Sequence, residues 1–175
     1  YGMLAYTYAR GKSLEAGFKY LILSATASAT MLMGMALIYS NTGTLSFRQI
    51  GMAIVPMFQN GIVMPILVVG TALMLFGIAF KLSAVPFHTW TPDVYQGAPA
   101  PVATFLGSVS KVAMMALGLR FLLSTATLAL PAINTLIVVI ASLSMIIGNV
   151  LALRQHNIKR LLAYSSIAHI GYVLA

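Results

Sequence analysis

The sequence contains no cysteine and very little charge. Without cysteine it can form no disulfide, no thiolate metal site and no cysteine-ligated iron–sulfur cluster. Charged residues make up 7% of the 175 residues, whereas a soluble domain carries charge at roughly a quarter of its positions. Acidic residues are especially scarce, with two against ten lysines and arginines. Such a chain has too little polar surface to cover itself in water.

Apolar residues dominate instead, at 60% of the chain with a mean hydropathy of +0.95, so lipid is the expected solvent. The expected fold class is all-α, a polytopic transmembrane helix bundle. The length and the absence of a Gly/Ser or charged linker indicate a single transmembrane domain over residues 1–175. The net charge of +8 does not indicate nucleic-acid binding, because the basic residues are dispersed among apolar runs rather than clustered on a polar face.

Long apolar runs predict where the chain crosses the membrane. The predicted spans are residues 14–39, 62–83, 101–123, 131–153 and 158–175, and residues 1–9 predict the end of a preceding helix. The shorter run 46–61 contains Pro56 and predicts a surface-lying or re-entrant piece. The last run stays apolar up to Ala175, so we expect this sequence to be a segment of a longer chain.

One of these helices is expected to be discontinuous. Ser83-Ala84-Val85-Pro86 remains apolar after the second span, but Pro86 cannot continue a straight helix. A helix that breaks between Ser83 and Pro86 and resumes over residues 86–97 would place Lys81 deep in the membrane, beside unpaired carbonyl groups. Alternatively, Lys81 ends its helix near the membrane surface and extends its amine to water. Periodicity does not decide between these two interpretations.

Lys111 is informative because of its depth. It lies ten residues after Pro101, or about 15 Å along a helix, near the middle of a ~30 Å hydrocarbon core. Thr104, Gly107 and Ser108 give its helix face a small and polar character, so we expect the amine to point into the bundle. A functional role is favoured over a purely structural pairing with a carbonyl or carboxylate.

Lys19 and His169 are further candidates. Lys19 lies about 9 Å inside its helix and four residues after Glu15, so a local ion pair is the simpler expectation. His169 lies near mid-depth, where a satisfied core histidine is more usual than a proton relay, although its tunable pKa keeps the relay open. The three histidines are too dispersed to predict a metal site, and Asp93 is expected to cap a helix.

The basic residues predict the orientation of the chain. Arg10–Lys12 falls in one connection and Arg154–Arg160 in another, and alternating spans place both connections on the same side. By the positive-inside rule this side is cytoplasmic, and the Pro86–Pro101 segment is expected to face it as well.

The segment from Pro86 to Val102, PFHTWTPDVYQGAPAPV, carries a resemblance to a known family. With FKLSA before it, SVSK ending at Lys111, SLEAGFKYLILSATASA near the start and NIKRLLAYSSIAHIGY near the end, the chain resembles the antiporter-like subunit N family of bacterial NADH:quinone oxidoreductase (respiratory complex I). The PFH-x-W portion is shared with sister subunits and with multisubunit cation/proton antiporters. TPDVYQGAPAPV is much more particular to subunit N.

The resemblance implies part of an antiporter-like fold with one discontinuous helix. It matches Lys81 to the family's central lysine, Lys111 to the lysine of the next helix on the cytoplasmic-side proton path, Lys19 to a lysine of the preceding helix and His169 to a histidine of a later one. The glutamate that pairs with the central lysine would lie before the first residue, and a late lysine beyond the last. A complete proton path is therefore not expected within this sequence.

The implied function is proton translocation across the bacterial inner membrane by a non-redox subunit of a translocating enzyme. This chain is expected to bind no cofactor or metal, while NADH, FMN, iron–sulfur clusters and quinone belong to the wider complex. Its expected partners are other membrane subunits of complex I, the lipid bilayer and protons, but no nucleic acid. Two alternatives stay open: a subunit of a multisubunit cation/proton antiporter, and a structural membrane subunit whose buried lysines merely pair.

Overall fold

The computed structural model describes residues 2–4, 11–59, 64–125 and 131–175, and this part of the chain is helical with no strand. The helices are α1 (Gly11–Thr42), α2 (Phe47–Gln59), α3 (Pro65–Leu82), α4 (Trp90–Gly97), α5 (Ala100–Gly107), α6 (Val109–Ser124), α7 (Pro131–Leu153) and α8 (Ile158–Leu174). The all-α fold class is therefore confirmed. The helix end expected over residues 1–9, apart from a turn at 2–4, and the expected start of a span at residue 62 lie outside the described residues.

Four helical stretches in the described part of the chain are long and apolar enough to cross a membrane: Ser13–Thr42, Pro65–Leu82, Ala100–Ser124 and Ile133–Leu153. Helix α8 has 17 residues, which is the lower limit of a spanning length. Helix α2 has 13 residues and is too short to span. It occupies the run that was expected to lie on the surface or re-enter the membrane. The chain is thus an integral membrane protein with multiple passes.

Proline, glycine and asparagine set several helix ends. Pro65 and Pro131 are the first residues of α3 and α7, where a missing N–H costs no intrahelical hydrogen bond. Helix α1 ends at Thr42, next to Gly43, whose φ of 67° suits a residue without a Cβ. The Asn157 side chain caps α8 by accepting a hydrogen bond from the backbone N–H of its second residue at 3.0 Å.

Small residues let the helices pack closely as two pairs, α1 against α3 and α7 against α8. An added Cβ at Gly34 of α1 would lie 2.6 Å from the carbonyl oxygen of Gly70 on α3. One at Gly171 of α8 would lie 2.8 Å from the carbonyl oxygen of Ala141 on α7. Any side chain at these two glycines would force the backbones apart, so they set the spacing within each pair.

Helix α4 joins the two pairs, because it packs against both α1 and α8. Trp90 at its start has its ring centroid 5.6 Å from that of Phe80 on α3 and 5.1 Å from that of Tyr20 on α1. Val94, one turn later, is fully buried. The second half of the broken helix is therefore held inside the bundle.

The third predicted span, residues 101–123, contains an interruption that the sequence did not reveal. Helix α5 ends at Gly107 and α6 begins at Val109, with Ser108 between them at φ −107° and ψ −77°. The Ser108 hydroxyl donates to the Thr104 carbonyl at 2.7 Å, and hydroxyl bonds of this kind bend helices. The bend lies just before Lys111 and belongs to the same small polar face.

Charged side chains of α1, α4 and α8 meet at one end of the bundle, and the side of the membrane on which this end lies stays a prediction. Asp93 near the start of α4 forms ion pairs with Lys19 of α1 and Arg160 of α8. The side of the membrane that Pro86–Pro101 faces stays a prediction. Within this segment Pro86 and Thr89 are exposed, whereas Trp90 and Val94 are 5% and 0% exposed, so its middle is buried in the bundle.

Single cysteines introduced into this cysteine-free chain test the orientation. We expect a membrane-impermeant thiol reagent to label Gly97→Cys and Asn157→Cys from the cytoplasmic side, and Leu45→Cys from the opposite side, because α1 runs between the two ends. Val85→Cys is the buried control and should react from neither side. Labelling of Asn157→Cys and Leu45→Cys from the same side would contradict the arrangement.

Candidate functional site

The break between α3 and α4 is a defined turn built around Ser83. This residue has φ 63° and ψ 32°, in the left-handed region that non-glycine residues seldom adopt. Its N–H donates to the Phe80 carbonyl at 3.0 Å, and the Ala84 N–H donates to the Ala79 carbonyl at 2.9 Å. These two bonds together are a common way of ending a helix. The Thr91 hydroxyl donates to the Ser83 hydroxyl at 2.7 Å, which ties α4 back to the end of α3.

The second half of the broken helix begins at Trp90 rather than directly after Pro86, and the residues between form turns. The indole N–H of Trp90 donates to the Phe80 carbonyl at 3.2 Å. The Val85 N–H donates to the Ser144 hydroxyl of α7 at 3.0 Å. Backbone groups freed by the break thus find partners on neighbouring helices, as irregular backbone at membrane depth requires.

Lys81 lies in the last turn of α3 and reaches towards α1, where its Nζ donates to the hydroxyl of Ser24 at 2.8 Å. Ser24 is fully buried. It lies eleven residues beyond Ser13, or about 17 Å along α1 from the start of that span. The Lys81 amine therefore lies inside the bundle, and its partner Ser24 is about 8 Å along α1 beyond the charged residue Lys19. Of the two interpretations that the sequence left open, the geometry favours the deep lysine.

Lys111 on α6 is buried, with 4% of its surface exposed. Its Nζ donates to the hydroxyl of Ser166 on α8 at 2.8 Å, and that hydroxyl donates to the Ala163 carbonyl at 2.9 Å. The amine also lies 6.0 Å from the centroid of the Tyr95 ring, within the range of a cation–π contact. Lys111 thus points into the bundle, as the small polar face around it indicates.

A cavity of about 590 Å³ lies beside Lys111, between α5–α6 and α8. We call it the Lys111 groove. Most of its lining is apolar, and its polar lining consists of Ser108, Lys111, Ser165, Ser166 and His169. Since a water molecule occupies about 30 Å³ in the liquid, the groove has room for a file of water along these polar groups.

His169, for which the sequence left open a satisfied core position and a proton relay, is exposed on α8 and lines the Lys111 groove, so it is not a core histidine. Its ring meets the Tyr172 ring edge-on, with the centroids 5.8 Å apart. The Tyr172 hydroxyl accepts a hydrogen bond from the Asn149 amide of α7 at 2.9 Å. The structure therefore brings His169 together with Lys111, whereas it places Lys81 against α1.

Lys19 belongs to a charged cluster at the end of the bundle. Its Nζ lies 2.6 Å from the Glu15 carboxylate, the local pair that the sequence predicts, and 3.3 Å from an oxygen of Asp93. Arg160 lies 2.8 Å from the other Asp93 oxygen. Asp93 was expected to cap a helix, but instead it pairs with one cation from α1 and one from α8. These four charged side chains line a pocket of about 200 Å³.

Removing the charge of Asp93 is expected to loosen α4. In Asp93→Asn both ion pairs lose their carboxylate, so hydrogen exchange of residues 90–97 should be roughly two- to fivefold faster, a small effect because partly exposed pairs are weak. Glu15→Gln is the matched control. It leaves both Asp93 contacts in place and should change exchange in α4 less. Equal exchange rates in wild-type and Asp93→Asn protein would show that the ion pairs do not hold the helix.

Sequence reasoning missed three groups as partners of Lys81 and Lys111: Ser24, Ser166 and Tyr95. Ser24 lies in a run of small residues that indicates only close helix packing, and its partner Lys81 is 57 residues away. Tyr95 is part of the distinctive PDVYQ stretch, but its proximity to Lys111 depends on how α4 packs. Among the described residues, no group of three or more His, Asp or Glu side chains is placed to hold a metal ion.

Comparison with known proteins places this geometry in context. The family described as "NADH:quinone oxidoreductase/Mrp antiporter, TM" matches residues 1–175. NADH-quinone oxidoreductase subunit N of Psychrobacter arcticus is 63% identical over 174 residues, which are 99% of this chain and 35% of that protein. The chain therefore spans about a third of the length of such relatives.

Solved structures show the same fold. The membrane-bound sulfane sulfur reductase, an archaeal respiratory membrane complex, contains a chain that matches with a TM-score of 0.83 and 32% identity over 99% of this chain and 34% of its own. Respiratory complex I from Thermus thermophilus contains one that matches with a TM-score of 0.76 and 40% identity over 96% of this chain and 35% of its own. The helix arrangement described above is thus an antiporter-like one.

Proposed function

Because this chain belongs to the NADH:quinone oxidoreductase/Mrp antiporter transmembrane family, we propose that it is part of a subunit that translocates protons across the bacterial inner membrane through buried lysines. In this proposal the subunit performs no redox chemistry. Electron transfer in other subunits, which hold the NADH, FMN, iron–sulfur and quinone sites, drives the protons. The other membrane subunits of the NADH:quinone oxidoreductase complex are its partners.

The observation that carries the proposal is the way in which two lysines are held inside the bundle. Lys81 donates to Ser24 and Lys111 to Ser166, each at 2.8 Å. In the described part of the chain, neither amine forms a salt bridge with a carboxylate. A serine hydroxyl can accept a hydrogen bond from an ammonium group and donate one to a neutral amine. Both protonation states of each lysine therefore keep a partner, which suits a group that gains and loses a proton.

The surroundings of the two lysines support movement of protons between them and water. The Lys111 groove gives that amine polar contacts and room for water. The α3–α4 break places irregular backbone next to Lys81, as at many ion sites in transporters. In general, an approaching anion raises the pKa of a lysine, and withdrawal of water or of that anion lowers it. Small displacements of charge can therefore load and unload such amines.

The second candidate function is a subunit of a multisubunit cation/proton antiporter. It deserves a test because the matching family includes the Mrp antiporters, whose proton path would use the same lysines without a redox partner. A third possibility is a structural subunit whose lysines merely pair. It does not explain why Lys111 lies beside a groove that has room for several water molecules.

Inverted membrane vesicles that contain the intact complex with the full-length chain distinguish these functions. We expect NADH to drive proton uptake, and we expect an imposed sodium gradient to move no protons when NADH is absent. Proton movement driven by the sodium gradient alone would favour the antiporter. If a complex assembled without this subunit still showed normal NADH-driven proton uptake, the subunit would have only a structural role.

A further inference from the structure

Tyr95 on α4 is buried, with 6% of its surface exposed. In the described part of the chain its hydroxyl makes no hydrogen bond of good geometry. The Ser166 hydroxyl, which accepts the bond from Lys111, is nevertheless close enough to interact with it. A buried hydroxyl without a full partner is costly, so its retention at this place requires an explanation.

Gly107, at the end of α5, leaves room for this hydroxyl. A Cβ added at Gly107 would lie 2.7 Å from the Tyr95 hydroxyl oxygen and 3.2 Å from the ring carbon that carries it. Gly107 also lines the Lys111 groove. The hydroxyl of Tyr95 therefore points at the wall of the groove. The residue it faces there is a glycine, which has no Cβ to occupy the space.

The same face of α4 leads back to the helix break. Thr91, which donates to the Ser83 hydroxyl, lies one turn before Tyr95, and residues four apart share a helix face. The Thr91 hydroxyl is bonded to Ser83, which lies two residues after Lys81, and Tyr95 lies on the same face about 6 Å further along the helix. Beyond Tyr95 lie Ser166 and Lys111, which are hydrogen-bonded to each other.

We propose that the Tyr95 hydroxyl relays protons between the α3–α4 break and Lys111; this inference rests on the proposed function. The Tyr95 oxygen accepts a proton from a hydronium ion on the side of the break while its own proton passes to the Ser166 oxygen. The Ser166 hydroxyl gives its own proton to the neutral amine of Lys111. Both hydroxyls are regenerated, and the net change is that the hydronium ion has become water and the amine has become an ammonium group. The Tyr95 ring then faces that ammonium.

The test is Tyr95→Phe in the full-length chain of the assembled complex. This change keeps the aromatic ring and its contact with Lys111 but removes the O–H. We expect NADH-driven proton uptake to fall by at least roughly tenfold, the low end of what one proton-transfer group contributes, while the complex still assembles. Tyr164→Phe is the matched control. Tyr164 is another buried tyrosine, on α8, but it packs with Val85 and Ile167 and should be dispensable for uptake.

Gly107→Ala provides a second perturbation that leaves Tyr95 in place. Its Cβ presses on the hydroxyl oxygen, so uptake should fall here as well. In a Tyr95→Phe background the oxygen is absent, and adding Gly107→Ala should cost little more. The two effects should therefore not add.

Four results would overturn the relay. One is full proton uptake by an assembled Tyr95→Phe complex when Lys111→Ala has lost uptake; this result would leave the proposed function intact. Another is an equal loss of proton uptake in Tyr164→Phe, which would show that the loss in Tyr95→Phe comes from disturbed packing. If Tyr95→Phe does not assemble, normal uptake by Gly107→Ala decides against the relay. Full uptake by both Tyr95→Phe and Lys111→Ala would reject the relay and the proposed function together.

Discussion

Lys111→Ala is expected to lower NADH-driven proton uptake by at least roughly tenfold, because it removes a buried proton-accepting group from the path. The amine bonds to Ser166 inside the bundle beside a groove that has room for water. Alanine leaves the serine and the groove in place but supplies no group that can carry a charge between them. Electron transfer in other subunits does not use this side chain, so NADH oxidation should persist in uncoupled vesicles.

The measurement compares initial rates of proton uptake with NADH oxidation and with the amount of assembled complex. Lys159→Ala is the control, since the Lys159 amine bonds to the Ala98 carbonyl and Lys159 is not among the residues that line the Lys111 groove. It should pump as the wild type does. Lys111→Met, which keeps much of the length without the charge, should fail like alanine. Normal uptake by assembled Lys111→Met would reduce Lys111 to a space-filling residue.

Lys81→Ala is expected to lower proton uptake by a similar factor, roughly tenfold or more, while assembly and NADH oxidation persist. The reason is that the partner of Lys81 inside the bundle is the Ser24 hydroxyl, a group that can accept a hydrogen bond from an ammonium group and donate one to a neutral amine. Lys81→Arg should also fail, although it preserves the positive charge. A guanidinium group keeps its proton at any accessible pH, so it cannot complete a cycle of loading and release.

The arginine substitution gives this prediction its discriminating power. A lysine that merely pairs with Ser24 to stabilise the bundle would tolerate arginine better than alanine, because the charge and donors remain. A proton carrier tolerates neither. Proton uptake into inverted vesicles, normalised to assembled complex, separates these outcomes. Wild-type uptake in Lys81→Ala would remove Lys81 from the path.

The helices were predictable from the sequence because a segment that crosses lipid must be long and apolar. Long apolar runs predicted α7 over the same residues that it occupies, and Pro86 indicated the break after α3. The interruption at Ser108 was not predictable in the same way. Serine and threonine are common in membrane helices, and whether their hydroxyls bend the chain depends on the neighbouring helices.

The site was predictable in its lysines and unpredictable in their partners. Depth along a helix follows from counting residues, which is why Lys111 could be placed at the middle of the membrane. Ser24 and Ser166, in contrast, meet their lysines across 57 and 55 residues of chain. Such contacts are set by the close backbone approach of α1 to α3 and by the width of the Lys111 groove. Neither quantity is encoded in a local pattern.

The left-handed turn at Ser83 also has an electrostatic consequence. Helix ends carry partial charges of about half an elementary charge, negative at the C-terminus and positive at the N-terminus. An unbroken helix would hold both poles at the two membrane surfaces. Because α3 ends at Leu82, its negative pole lies inside the bundle, next to Lys81, and the positive pole of α4 follows at Trp90. The main chain thus supplies a permanent partial negative charge next to Lys81. Protonation of a side chain cannot neutralise this charge, because it comes from the peptide dipoles.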